Sequence, residues 1–354
     1  MEYNMLREIR EQPGVVGRSL IEGFREARKI AEELISSRLS MVYLTGSGTS
    51  YHACLAANYA MSTLTRISST SLPASEFSSW VGDVGRTGTV VIAISQSGES
   101  VDVLAAVKSA TNAGMRTIGV TNSEGSSLTK QTEFQLIAKA GEEKAVTATK
   151  SFTTTLGLAY ALVLELARAV TPDVMNYDRL ETDLTAAPNQ MQRTIALCES
   201  NVKLLTSRLA KKQLYFILGT GSNYPSALEG ALKLKESCNL FAEGFATREF
   251  LHGPMQLVDS RTPVFLLQGA QEAEQHAQLA KSFLKFGAPT VMIKPESEDL
   301  VAGGGIDTIK VAANIHDAFS PLVYVIPLQL YAFHTALEKG LNPDSPVKLT
   351  KVVK

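Results

Sequence analysis

The sequence predicts an α/β protein built from two tandem units, each a parallel sheet with helices on both faces. Three observations carry this. Short β-branched apolar runs such as VVIAIS (Val90–Ser95) alternate with longer stretches of helical periodicity, the pattern of doubly covered strands and their crossover helices. The segment YLTGSGTSY (Tyr43–Tyr51) recurs as FILGTGSNY (Phe216–Tyr224), with Gly46 and Gly219 lying 173 positions apart. The same offset pairs Lys108 with Lys281, Gly114 with Gly287 and Val91 with Val264, so strand, helix and strand were copied together.

Taken in order, apolar positions at helical spacing predict a helix over 17–36, opening an N-terminal segment 1–36. The first unit, 37–170, has strands near 41–45, 67–70, 89–94, 116–120 and 133–138, with helices over 50–63 and 100–113. Thr171–Gln190 carries Pro172, Pro188 and many polar residues and reads as a linker, with a helix over 186–210 completing a connecting segment 171–210. The second unit, 211–340, has strands near 213–219, 241–243, 263–267, 288–293 and 307–312. In the tail, 341–354, Pro343 and Pro346 forbid a continuous helix.

Composition narrows the class. With 354 residues, 45% hydrophobic and 19% charged, the chain can bury full cores, and its net charge of −1 gives no ground for a nucleic acid or an anionic membrane as partner. The N-terminal MEYNMLREIREQPG has no apolar signal region, and Leu156–Val170 is interrupted by Glu165 and Arg168, so a cytoplasmic location without a membrane segment is expected. Cys54, Cys198 and Cys238 are odd in number and widely spaced, which suits reduced core thiols. The five histidines show no metal spacing with them, and no metal is expected.

The chemistry gathers where the strand of VVIAISQSGES ends. Backbone N–H groups at a helix start near Val101, together with Ser95, Gln96, Ser97 and Ser100, converge as neutral donors suited to a phosphate monoester. The competing reading is a Ser-rich turn with Ser100 as N-cap. A dinucleotide loop would need a third glycine at Tyr51 and an acid near Ser68–Thr70, and no GK[ST] follows a glycine loop, so neither nucleotide motif is met. The second copy has QGAQEA (Gln268–Ala273) in place of SQSGES and has lost every hydroxyl. It offers instead EGALKLKE, where Glu229, Lys233 and Glu236 share one helix face, and His252-Gly253-Pro254 downstream. A solvated salt-bridge ladder is the plain reading of that face; an acid–base set acting on a phosphate-anchored ligand is the functional one.

GTSY, SQSGE, GEEKAVTATKSFTT, YPSALEGALKLKE, HGP and PVKLTKVV, in this order, resemble the sugar isomerase (SIS) superfamily, most of all the isomerase half of glucosamine-6-phosphate synthases, over nearly the whole chain. The resemblance implies two flavodoxin-like SIS domains, a homodimer with active sites shared between subunits, and a C-terminal tail ordered over the sugar. It implies that Ser50, Ser95, Gln96, Ser97 and Ser100 hold the 6-phosphate of a hexose, and that the sugar lies near Val146, Lys233 and Thr350. Glu236 matches the enolisation base, His252 the ring-opening histidine given by the partner subunit, and Lys351 the Schiff-base lysine. No cofactor is needed. Ser47, Ser100 and Val347 depart from the cysteine, threonine and arginine usual there.

The chain shows no glutaminase segment with a cysteine nucleophile, so the expected activity is deamination of glucosamine 6-phosphate to fructose 6-phosphate. The alternatives are an isomerase subunit fed by external ammonia or a separate glutaminase, an isomerase or deglycase for another phosphosugar, and a sugar-phosphate sensor. Retention of Glu236, His252 and Lys351 together favours an enzyme over a sensor.

Overall fold

Ten strands pair into two five-stranded parallel sheets in the computed structural model, which describes residues 3–35, 39–81, 87–269, 272–298 and 304–351. Ser36, Ala270, Gln271, Val352, Val353 and Lys354, which enter the expectations above, lie outside the described residues. The chain divides into a leading unit, Glu11–Glu143, Ala148–Pro188 and Thr350–Lys354, and a trailing unit, Met1–Arg10, Lys144–Thr147 and Asn189–Leu349.

In the leading unit the strands are β1 (Met41–Gly46), β2 (Ser68–Pro73), β3 (Thr89–Ile94), β4 (Arg116–Thr121) and β5 (Phe134–Ile137), in the order β2-β1-β3-β4-β5. β3 is buried at every position, as a central strand covered on both faces must be. Around the sheet lie α1 (Asn4–Ile35), which begins in the trailing unit, α2 (Thr49–Leu64), α3 (Ala74–Val81), α4 (Val101–Asn112), α5 (Ser127–Gln131) and α6 (Lys150–Val170). Among the described residues α6 is the one helix long and apolar enough to cross a membrane, although Glu165 and Arg168 had argued against such a stretch. Its residues Lys150–Ala167 are all buried, and Glu165 is paired with Arg28 at 3.0 Å, so its hydrophobicity is that of a core helix.

The trailing unit repeats the plan with β6 (Leu214–Gly219), β7 (Phe241–Ala246), β8 (Val264–Leu267), β9 (Thr290–Pro295) and β10 (Ile306–Val311), ordered β10-β9-β8-β6-β7. The offset of the duplication carries β1 onto β6 and β2 onto β7 residue for residue. The helices are α7 (Tyr177–Leu209), which starts in the leading unit, α8 (Tyr224–Cys238), α9 (Ala273–Lys285) and α10 (Pro321–Glu338). An aromatic core joins Phe216, Phe245, Phe250 and Phe283; Phe250 is fully buried, its ring centroid 4.9 Å from that of Phe216. Truncating such a ring to alanine costs about 3–5 kcal/mol.

Three expectations give way. The stretch Thr171–Gln190, read as a linker, is helical from Tyr177 onward. Leu180, Leu184, Ala187, Met191, Ile195 and Cys198 form a buried stripe at helical spacing, and Pro188 is carried inside the helix because this burial outweighs one lost backbone bond. α1 likewise starts at Asn4 rather than at 17, with Pro13 inside it and Met5 and Ile9 buried. The second strand extends to Pro73, and its copy to Ala246, beyond the short apolar cores visible in the sequence.

Candidate active site

In the leading unit the order β2-β1-β3 places the reversal of winding between β1 and β3, where open α/β sheets hold ligands beyond the strand ends. These strands pair with Gly46 beside Ile94, and the chain leaves them into α2 and α4. Neither helix has a side-chain cap: Gly48 and Ser100 stand at the N-cap positions without a side-chain capping bond. At the start of α2 the Ser50 and Tyr51 N–H groups donate to the carbonyls of Ser47 and Gly48 at 3.1 and 3.0 Å, so the start of α4 is the better anion site of the two. Ser100 does stand at the N-cap of α4, as the plain reading has it, but its hydroxyl makes no capping bond. Ser95 is buried, its Oγ accepting the Gly98 N–H at 3.1 Å, and Ser97 Oγ accepts the Glu99 N–H at 3.2 Å. Gln96, Ser97, Ser100 and Ser50 are half-buried around this turn. Gly98 has φ of +67°, and a Cβ there would fall 2.1 Å from Ser126 Oγ, so the turn requires glycine. The acid of the loop, Glu99, accepts from the Ser127 N–H and hydroxyl at 2.8 and 2.7 Å, at the start of α5.

In the trailing unit α8 carries Glu229, Lys233 and Glu236. Lys233 and Glu229 are fully buried, and Lys233 Nζ lies 3.1 Å from Glu229 Oε1 and 2.8 Å from Glu236 Oε2. Burial opposes the lysine's charge, but the two carboxylates outweigh it and its pKa is raised, so it stays an ammonium. This is a buried triad, not the solvated ladder of the plain reading. Glu236 alone of the three opens onto a cavity of about 380 Å³, shared with Lys235, Ser237, Pro346 and Leu349. His252 ends a 3-10 turn, Glu249–His252, is exposed, and is not among the residues lining that cavity. Gly253 follows it at φ of +146°.

The tail is tied down by residues that sequence reasoning did not single out. Asp344 caps α1 within the trailing unit, its carboxylate accepting the N–H groups of Asn4 and Met5 at 2.8 and 2.7 Å. Its own carbonyl accepts the Val146 N–H at 2.9 Å, which holds the segment of Val146 against the tail. Within the leading unit Lys351 Nζ donates to Glu143 Oε2 at 2.8 Å; Thr350, beside it, is exposed. Glu143 lies inside GEEKAVTATKSFTT, yet nothing in a charged pair of glutamates marks one as buried. The structure thus joins Lys233 with Glu236 and Val146 with the tail, and leaves Ser95, Gln96, Ser97 and Ser100 together on the one turn between β3 and α4.

The SIS domain family matches residues 34–165 and 208–339. The chain is 36% identical over 352 residues to the isomerizing glutamine–fructose-6-phosphate aminotransferase of Pyrobaculum aerophilum, and 34% identical over 353 residues to that of Methanothermobacter thermautotrophicus. Each match covers 99% of this chain and 57% of the relative, so the chain spans a little over half the length of these proteins. Among solved structures, the C-terminal domain of glucosamine-fructose-6-phosphate aminotransferase from Francisella tularensis superposes with a TM-score of 0.89 at 26% identity, covering 98% of this chain and 99% of that one. Glucosamine-6-phosphate deaminase from Thermotoga maritima superposes with a TM-score of 0.72 at 25% identity, covering 96% and 99%. With two matched repeats, each the five-stranded parallel sheet just described, this chain belongs to the SIS domain family.

Proposed function

We propose that the protein interconverts glucosamine 6-phosphate and fructose 6-phosphate, working as a deaminase. The observation that carries this is Glu236: a carboxylate held by a buried ammonium and opening onto a cavity walled by the tail is placed to move a proton on a bound ligand. The start of α4, with Ser50, Ser95, Gln96, Ser97 and Ser100, holds the phosphate and fixes the substrate. His252 of the partner subunit opens the ring; an imidazole suits this because its ordinary pKa of about 6.5 lies near neutrality. Glu236 carries a proton between C1 and C2, turning the 2-amino aldose into a ketose imine through an enolamine. The Lys351 amine adds to C2 of that imine and expels ammonia, and water then hydrolyses the lysine imine, giving fructose 6-phosphate and freeing the lysine. Val146 and Thr350 border the sugar, and Lys233 acts through Glu236 as a positioning residue. The assembly is a cytoplasmic homodimer of SIS domains at 37–170 and 211–340, with 341–354 as a tail over the site.

Deamination needs only water as co-reactant, which is the reason to prefer that direction. The second reading, synthesis with ammonia from outside or from a glutaminase partner, is favoured by the names of the relatives at 34–36% identity. Incubation with glucosamine 6-phosphate, reading ammonia and fructose 6-phosphate, tests the first; the reverse assay with ammonium tests the second. Glu236→Gln lowers kcat by about 10²–10⁴ with a smaller change in KM. Turnover in neither direction ends the amino-sugar assignment, and full turnover by Glu236→Gln removes that residue as the base.

A further inference from the structure

Glu143 is a buried carboxylate to which the mechanism above gives no task. Its side chain is fully enclosed at the start of α6, where it accepts the N–H groups of Thr149 and Ser151 at 2.9 and 3.0 Å and the Ser151 hydroxyl at 2.7 Å. The last acceptor position is taken by Lys351 Nζ at 2.8 Å. Burial by itself would raise the pKa of this carboxyl, but Lys351 and Ser151 bring it below the ordinary value. The helix start adds partial positive charge in the same place. A carboxylate so stabilised makes a poor proton acceptor and a permanent negative neighbour.

We propose that Glu143 is the counter-ion of Lys351, holding its nitrogen first as the ammonium and then as the protonated imine of the sugar. The inference rests on the amino-sugar reading and deepens it. When a lysine ammonium condenses with the C2 carbonyl of a ketose phosphate, the C2–O bond breaks and an N–C2 double bond forms. The carbonyl oxygen leaves as water with two of the three ammonium protons, and nothing is oxidised or reduced. The nitrogen keeps one proton and its single positive charge. A fixed anion 2.8 Å away therefore serves both forms without rearranging, which is the condition for electrostatic stabilisation that costs no reorganisation during reaction. The retained positive charge makes C2 the electron sink that proton removal at C1 requires. A carboxylate serving only to anchor the start of α6 would not affect this step.

The test traps the imine. The full chain is incubated with fructose 6-phosphate and sodium cyanoborohydride, and peptide mass spectrometry reads the resulting secondary amine on Lys351. Wild type is trapped there; Glu143→Gln is trapped about 10²-fold more slowly at saturating sugar phosphate, and Glu143→Asp recovers part of the rate. Trapping of Glu143→Gln at the wild-type rate overturns the proposal. If Glu143→Gln loses its cooperative thermal transition, Glu143→Asp decides: slower trapping with unchanged KM supports the counter-ion, and wild-type trapping refutes it. Wild type that turns over glucosamine 6-phosphate with no adduct on Lys351 refutes the counter-ion alone and leaves the amino-sugar reading standing. Neither turnover nor adduct sinks both.

Discussion

Lys233 Nζ and Glu236 Oε2 lie 2.8 Å apart, an i,i+3 pair on α8 in which the lysine is fully buried and the glutamate reaches a cavity. The ammonium is held from behind by Glu229, so its direction toward Glu236 is fixed by two contacts rather than one. A single surface pair of this spacing would be worth a few tenths of a kcal/mol; here Glu229 and Lys233 are sealed from water and only the half-buried Glu236 reaches the cavity.

Lys233→Met leaves Glu229 buried without its cation. Removing one partner of a buried pair costs about 3–5 kcal/mol, and chemical denaturation should show that loss at neutral pH. The residual folded enzyme should show kcat reduced more than KM, since Glu236 loses its orientation but the phosphate loop is untouched.

Gly98→Ala tests the phosphate turn. A left-handed φ and a Cβ directed at Ser126 predict a destabilisation of about 1–3 kcal/mol, with weaker competition by inorganic phosphate. Ser97→Ala should raise KM with little effect on stability, because Ser97 is only half-buried. Equal loss of stability in both variants would argue that the loop serves folding alone.

His276 gives an acid sensitivity with a definite sign. It is fully buried, and burial pushes its pKa down to about 4 from an ordinary 6.5. The unfolded chain then binds the extra proton first, so the histidine's contribution is present above pH 6.5 and is lost as pH falls toward about 4. That loss amounts to up to about 3 kcal/mol. Urea titrations at several pH values should show wild type losing more stability across this window than His276→Leu.

If His252 reaches the site of the other subunit, two inactive variants can repair each other. Mixing unfolded Glu236→Gln and His252→Ala chains and refolding them together should give heterodimers with one intact site of two. Random pairing then restores about a quarter of wild-type activity. A refolded mixture as inactive as its components would place both residues in sites of one chain, or the protein in a monomer.

Much of this protein was legible in its residues, because the features concerned are local. The β-branched run ending at Ser95 specifies a strand buried on both faces, the glycine and hydroxyls after it specify a tight strand-to-helix turn, and the repeat at Gly219 specifies a second unit of the same plan. Pro188 shows where local reading fails: a proline among polar residues signals a break, but a buried stripe from Leu180 to Cys198 keeps the helix whole. Periodicity put Glu229, Lys233 and Glu236 on one face, yet only packing decided that Glu229 and Lys233 are sealed from water. Glu143 with Lys351, and Asp344 with the first turn of α1, join residues far apart in the chain. Desolvation and long-range pairing depend on what surrounds a side chain, and no local pattern records that; the sequence by itself set the strands, the turns and the types of chemical group, and the tertiary structure decided which charges are buried together.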